Sequence, residues 1–358
     1  MRQPSRLLRN MQKNILSSKR RVLIVDSTLR DGSHALRHQF NATQIASYSR
    51  AAEKANTEIL MVGHGNGLGA SSIHLGRSLL SDKQMLSTAK KNLKKTKLGA
   101  FLIPGFGTIE KDLLPAIDLG IDVLMVATHC TEANIARQHI EKGVEKKLDV
   151  YGVLMMSHML GSESLLEQAR LMQEYGAKGV LLMDSAGNYL PDEVTEKISK
   201  LSKKLTIPVG FHAHNNLGMA VANSLAAVKA GASIIDATSR GLGAGAGNCQ
   251  LEVIASVLEK AGYSTGLDIF RTMDNSEEII SKIMPSPQEI SASSLVSGLS
   301  GVFSGFLPHA KKASTYYNVD IKELMVELGK LGIIAGQEDL VIHTASLLSK
   351  KESHKKSV

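Results

Sequence analysis

Eight short, β-rich apolar runs recur along this chain, and each is followed by a stretch with helical periodicity. The runs are 22–27 (VLIVDS), 58–63 (EILMVG), 98–103 (LGAFLI), 121–128 (IDVLMVAT), 150–156 (VYGVLMM), 178–184 (KGVLLMD), 206–212 (TIPVGFH) and 233–238 (SIIDAT). They are near-continuously apolar rather than alternating, as in strands buried on both faces of a parallel sheet. Helical periodicity falls at 43–55, 74–92, 108–119, 131–147, 162–175, 191–204, 217–230 and 249–262. Gly176 and Gly231 close two of these segments, where a helix end favours a left-handed residue. Eight β-then-α units match a (β/α)8 TIM barrel better than an open doubly wound sheet. After residue 265 the strand-like runs stop, and helices are expected at 276–283, 299–317, 321–330 and 340–348. The expected organisation is a basic tail (1–21), the barrel (22–265), a small helical C-terminal domain (266–348) and a second basic tail (349–358).

Composition narrows the class of function. No apolar run is long enough to span a bilayer. Two cysteines, Cys130 and Cys249, make no disulfide framework and suit a reducing compartment. Aromatics are 4% with no Trp, which disfavours a base-stacking surface. The net charge of +8 suggests a polyanionic partner until it is located. Arg2, Arg6, Arg9, Lys13, Lys19, Arg20 and Arg21 stand in 1–21 without an acid, and Lys350, Lys351, Lys355 and Lys356 face only Glu352. The body between is near neutral, so the excess reads as solvated tails on a cytoplasmic enzyme. An organellar targeting segment is the second reading of 1–21.

In a barrel of this type the active site lies at the C-terminal ends of the strands. Those ends carry Arg30 and Asp31, His64, Thr128 and His129, Ser157 and His158, Asp184, His212 and His214, and Thr238 and Arg240. Side chains two apart on a strand share a face, so His212 and His214 project toward one point. An Asp from another strand end completes two imidazoles and a carboxylate, a set that leaves coordination positions open. Singly, each polar residue can be a cap or a satisfied core group. The Arg30-Asp31-Gly32 turn together with the His-x-His pair favours a metal. The glycine segment Gly241–Gly247 lacks the Lys-Ser/Thr of a P-loop, and it follows the last strand, where a dinucleotide fingerprint would follow the first. It reads better as backbone passing close beneath the metal site, with Asn248 nearby.

At these residues the chain resembles the metal-dependent aldolases and lyases of the DRE-TIM, HMG-CoA lyase-like superfamily, most closely the 4-hydroxy-2-oxovalerate aldolases. The marks are STLRDGSHALRHQF (27–40), GHGNGLGASS (63–72), ATHCTEA (127–133), LMMSHM (154–159), DSAG (184–187), GFHAHNNLG (210–218), GLGAGAGN (241–248) and GQEDL (336–340). The resemblance implies a divalent ion, usually Mn2+ with Mg2+ or Co2+ as substitutes and no organic cofactor, held by Asp31, His212 and His214. It implies cleavage of a 4-hydroxy-2-oxo acid to pyruvate and an aldehyde, as in aromatic hydrocarbon catabolism. Arg30 would stabilise the enolate and His34 would be the base. Ser185 and Phe303 would contact substrate, with His64 and Asn248 behind the ligands. An acylating aldehyde dehydrogenase would dock on the C-terminal domain of an oligomer. The chain departs from the family at Asn215, where a third His is usual, and at Leu299 and Phe303, where tyrosines are usual. No Lys at a strand end of the site offers a Schiff base. Two rivals are an acyl-CoA-dependent Claisen enzyme of the same superfamily and a non-catalytic barrel acting as a binding partner. The Ser33–His38 continuation opposes the first, because those synthases usually continue Gly-Glu-Gln. The intact charged set opposes the second.

Overall fold

The computed structural model describes residues 20–356, and side chains as far as residue 351. Eight parallel strands close a barrel in sequential order: β1 (Leu23–Leu29), β2 (Ile59–Val62), β3 (Lys97–Leu102), β4 (Val123–His129), β5 (Asp149–Met155), β6 (Gly179–Asp184), β7 (Val209–Ala213) and β8 (Ile234–Ala237). β8 returns to pair with β1, with Val25 opposite Asp236. All eight expected strands are present. The helices between them are α1 (Ala42–Lys54), α2 (Asp82–Lys90), α3 (Leu114–Asp118), α4 (Arg137–Glu145), α5 (Ser162–Glu174), α6 (Pro191–Lys204), α7 (Ala220–Ala230) and α8 (Leu251–Lys260).

Local chemistry sets their ends. Asn41 and Gln44 form a capping box on α1, and Ser81 and Gln84 form one on α2. The second box starts α2 eight residues later than the periodicity suggested, leaving 63–81 largely irregular. Gly176 and Gly231 take positive φ after α5 and α7, as the sequence required. Inside the barrel Val25, Met61, Phe101, Met125, Val153, Leu181 and Ile234 pack together, and a larger apolar layer fills the space between sheet and helices.

Two short helices, α9 (Ile269–Asn275) and α10 (Ser281–Ile283), follow, linked by a wide turn. α9 packs on α1 and α8, and Ile280 lies in the barrel's outer core. A separate core then forms from α11 (Ala292–Leu299), α12 (Leu307–Tyr317), α13 (Ile321–Leu331) and α14 (Glu338–Lys356), centred on Phe306, Leu324, Met325, Leu328 and Val341. The continuous helix expected at 299–317 is broken. α11 ends at Leu299, Gly301 takes φ +65°, and the backbone N–H of Ser304 donates to Ser185 O across to the barrel. A tertiary hydrogen bond thus overrides periodicity that Val302 and Phe306 carry through the break. α14 runs through the segment read as a second tail, while Arg20 bonds the carbonyls of Gly231 and Ala232 and Arg21 pairs with Glu58. The rest of the expected N-terminal tail lies outside the described residues. Among the described residues no helix is long and apolar enough to cross a membrane.

The joint between the two cores includes His158, whose Nε2 donates to Gly301 O at 3.1 Å. Burial pushes the pKa of this ring down from 6.5 to about 4. The unfolded ring takes up a proton that the folded ring refuses, so stability is full above about pH 6.5 and declines as pH falls toward 4. His158→Gln keeps a donor and does not titrate. Denaturant unfolding of this variant should therefore lose less stability across that window than the parent. Identical losses would remove His158 from the acid response.

Candidate metal centre and catalytic cleft

Asp31, His212 and His214 converge at the C-terminal mouth of the barrel, with one ligand atom of each within 4.8 Å of the others. Asp31 opens a tight turn (Asp31–His34) directly after β1. His212 lies on β7, and His214 stands one residue past the strand, where its backbone bridges Asn248. His212 Nε2 is 3.3 Å and His214 Nε2 3.8 Å from Asp31 Oδ2. The two imidazoles meet edge-on with centroids 5.1 Å apart. All three residues are buried.

Around them charges alternate. Arg30 reaches Asp31 at 3.5 Å and Asp236 at 3.6 Å, and Asp236 Oδ1 stands 3.1 Å from His212 Nδ1. Ser27 donates to the other Asp236 oxygen at 2.9 Å. The Arg30 guanidinium also lies 4.4 Å over the Phe101 ring. Burial opposes the charge on Asp31, but Arg30 and the two histidines overcome it and hold the carboxyl well below its usual range. Burial likewise opposes charging His212, yet Asp236 and Asp31 raise it to about 9, while burial takes His214 down to about 4. One imidazole is therefore easily charged and the other held neutral, an asymmetry that a shared cation would replace.

The sequence missed Asp236. It sits inside the short apolar run of β8, and only the pairing of His212 with Asp236 across β7 and β8 brings it behind the imidazole. The one available signal was a lone carboxylate in SIIDAT. A carboxylate on the far nitrogen of a ligating imidazole fixes its tautomer and orientation.

His34 stands at the edge of the group, with Nε2 4.0 Å from Asp31 Oδ1 and 14% of its side chain exposed. Burial lowers its pKa, so the ring is neutral and can accept a proton. A Cβ on Gly65 would lie 2.4 Å from His34 Nε2, so glycine there makes room for the ring. His64 has both nitrogens occupied: Nδ1 accepts from Asn66 N and Nε2 donates to Gly76 O. It stacks on His38 at 3.6 Å, which places it as support 6.5 Å from the His34 ring. Asn248 is buried, and its amide has no protein partner. The hydroxyls of Thr128, Thr238 and Ser239 are also buried without one. Ser185 is engaged, its Oγ accepting from Met156 N, a residue strained at φ +53°. Phe303 packs edge-on against Phe306 at the margin of the second core, and Leu299 is 65% exposed, so neither is gathered with the Asp31 group. Asn215 turns away from the group, and its Oδ1 accepts from Ala220 N at the start of α7.

The donor set fits a divalent cation. A carboxylate and two imidazoles converge, His212 Nε2 makes no hydrogen bond, and Asn248 adds an unpartnered amide. A closed eight-stranded barrel with this centre at the C-terminal ends of its strands defines a TIM-barrel protein with a candidate divalent-metal site. Residues 21–279 match the HMGL-like family, and residues 288–350 match the DmpG-like communication domain. The chain is 49% identical over 335 residues to 4-hydroxy-2-oxovalerate aldolase of Pectobacterium atrosepticum, covering 94% of this chain and 98% of that one. It is 50% identical over 329 residues to the Spirochaeta aurantia protein of the same name, covering 91% and 96%. The chain belongs to the HMGL-like family and, within it, to the 4-hydroxy-2-oxovalerate aldolase family. The carboxyl transferase domain of Rhizobium etli pyruvate carboxylase superposes with a TM-score of 0.77 at 17% identity, covering 94% of this chain and 61% of that one. At that identity the likeness speaks for the fold alone.

Asp236→Asn keeps the shape and removes the charge behind His212. It should weaken Mn2+ or Co2+ binding by roughly 10–100-fold while leaving the fold intact. Unchanged affinity in a metal titration would show that the β8 carboxylate does not orient the ligand.

Proposed function

We propose that this chain is a divalent-metal-dependent aldolase acting on a 4-hydroxy-2-oxo acid such as 4-hydroxy-2-oxopentanoate, yielding or consuming pyruvate and an aldehyde. The observation that carries this reading is the convergence of Asp31, His212 and His214 beside a buried Arg30 and a neutral His34. Asp31, His212 and His214 would hold the ion, Mn2+ by preference, with Asn248 nearby. The ion would supply Lewis acidity to the carboxylate and keto oxygens of the 2-oxo acid. His34 takes the proton from the 4-hydroxyl. As that oxygen becomes the aldehyde carbonyl, the C3–C4 bond breaks and its electron pair passes into the enolate of pyruvate. Arg30, clamped between Asp31 and Asp236, presents a fixed guanidinium to that developing charge, and fixed charges in a buried site need little reorganisation. Protonation of the enolate at C3 then gives pyruvate. Ser185 holds the β5 loop that borders the cleft, and Phe303 belongs to the segment that would cover it.

The test separates ligands from catalysis. Asp31→Ala, His212→Ala and His214→Ala should each weaken metal binding and abolish turnover, and chelator should do so reversibly. Arg30→Lys keeps the charge but loses the planar fork. It should retain metal and lower kcat by on the order of 10²-fold. Full turnover under excess chelator, or normal turnover by Arg30→Lys, overturns the respective role.

The helical region 266–348 is the docking surface we assign to an acylating aldehyde dehydrogenase, supported by the communication-domain match at 288–350. A closed passage between the two sites would spare a reactive aldehyde from solvent. Co-purification from the native source should recover the dehydrogenase. An active aldolase that never co-elutes with one at micromolar concentration would leave the chain to act alone.

A further inference from the structure

Asn216 is fully buried and lies two residues beyond His214. Its amide bonds three separate segments. Nδ2 donates to Ala186 O at 2.8 Å, in the loop after β6, and to Ser304 Oγ at 2.9 Å, in the helical unit. Oδ1 accepts from Ala246 N at 2.9 Å, in the glycine loop two residues before Asn248. Every donor and the acceptor of this amide is therefore used, each on a different element.

Three glycines, one from each of these regions, leave it room. A Cβ on Gly187 would lie 2.6 Å from Asn216 N, and one on Gly245 would lie 2.5 Å from Asn216 Oδ1. Both also take positive φ, +59° and +65°, so their backbones favour glycine in any case. Gly298 is different. It sits inside α11, where alanine would suit the helix better. An added Cβ would lie 3.0 Å from the Leu217 side chain and 3.1 Å from Asn216 Cβ, so alanine needs those neighbours to give by a few tenths of an ångström. This glycine, one residue from the end of α11, lets the helical unit pack closely on Asn216 and Leu217.

We propose that Asn216 is the positioning residue through which the helical unit sets the geometry of the candidate metal site. Ser304 fixes one side of the amide, and the other side fixes the glycine loop that carries Asn248 opposite His214. Loss of the Ser304 contact frees the amide to turn, and the turn is transmitted to Ala246 and hence to Asn248. Asn188 serves as the contrast. It also ties the barrel to the helical unit, donating to Gly298 O at 2.7 Å, but its side chain has no bond to the glycine loop. The proposal rests on the reading that Asp31, His212 and His214 hold the ion.

The test uses the full chain with Co2+ as the probe, read by its visible absorption bands and by titration. Ser304→Ala removes one hydroxyl, and Asn216→Asp keeps the shape but loses both N–H donors. Both should bind Co2+ roughly tenfold more weakly and shift the bands, the scale of effect expected for groups that orient ligands. Gly298→Ala should do the same by pressing on Asn216 Cβ and Leu217. Asn188→Ala should leave affinity and bands unchanged, although it too loses a domain contact. If Ser304→Ala and Gly298→Ala fold with parental Co2+ affinity and spectrum, the proposal is overturned. It is equally overturned if Asn188→Ala perturbs the site as much as they do, since the effect is then one of domain docking in general. A parent protein with no saturable Co2+ binding would instead overturn the underlying metal reading. Asn216→Asp supports the proposal only where its unfolding midpoint matches that of Ser304→Ala.

Discussion

Four groups of alternating charge, buried at the seam where β7, β8 and β1 meet, constrain the rest of this molecule. Arg30 lies between Asp31 and Asp236, and His212 lies between the same two carboxylates on the other side. None is more than 3% exposed. A buried charge left without its partner is costly, so each member commits the others. Asp236 comes from β8, His212 from β7 and the Arg30–Asp31 pair from the turn after β1, so compensation requires the barrel to close in this register. A slip of one residue on β8 would turn Asp236 to the opposite face of the sheet and leave His212 and Arg30 short of a counter-charge. The same arrangement leaves His214 neutral and His34 at the rim of the cluster.

The sequence made the barrel legible because parallel strands buried on both faces are written as unbroken apolar runs, and all eight stand out between amphipathic helices. The gathering of Asp31, His212 and His214 was legible because a His-x-His pair and an Arg-Asp-Gly turn carry their own geometry. Asp236 was not, because nothing local distinguishes a carboxylate that will meet an imidazole across a strand pair from a solvated one. The helical unit was read less well for a related reason. Leu299, Val302 and Phe306 keep a helical period through a stretch that the backbone leaves at Ser300, drawn away by bonds to the barrel at Ser185 and His158. Periodicity records which residues are buried and does not record which partner buries them. Residues 269–283 make the same point, since Ile280 belongs to the barrel's core although the strand pattern has already ended.

Two cores in one chain raise the question of what joins them. Beside apolar contacts such as Leu217 on Gly298, the joint carries directional hydrogen bonds: Asn188 to Gly298, His158 to Gly301, Ser185 to Ser304, Asn216 to Ser304 and, at the opposite rim, His309 to His74. Hydrogen bonds of this kind specify orientation more than they stabilise, because each replaces one made to water. They fall on the loops after β2, β5, β6 and β7, which are the loops that border the cleft. The helical unit is thus fastened to the end of the barrel where Asp31, His212 and His214 gather.

The departures from the family pattern then sort by distance from the charged cluster. Asn215, where a third histidine is usual, accepts from Ala220 N at the start of α7 and is not part of the candidate group of Asp31, His212 and His214. Leu299 and Phe303 stand in the helical unit, one exposed and one packed on Phe306, away from the Asp31 group. Under the aldolase reading, enolate formation draws on Arg30, His34 and the ion, all at the barrel end, and is indifferent to those two positions. The incoming or departing aldehyde is another matter. Its carbonyl needs a donor, and the buried side-chain polar atoms without partners at the barrel mouth include Arg30 Nε and those of Thr128, Thr238, Ser239 and Asn248. Under that reading the groups that break the carbon–carbon bond all come from the barrel, and the helical unit acts on them only through its seating on the loops after β5, β6 and β7.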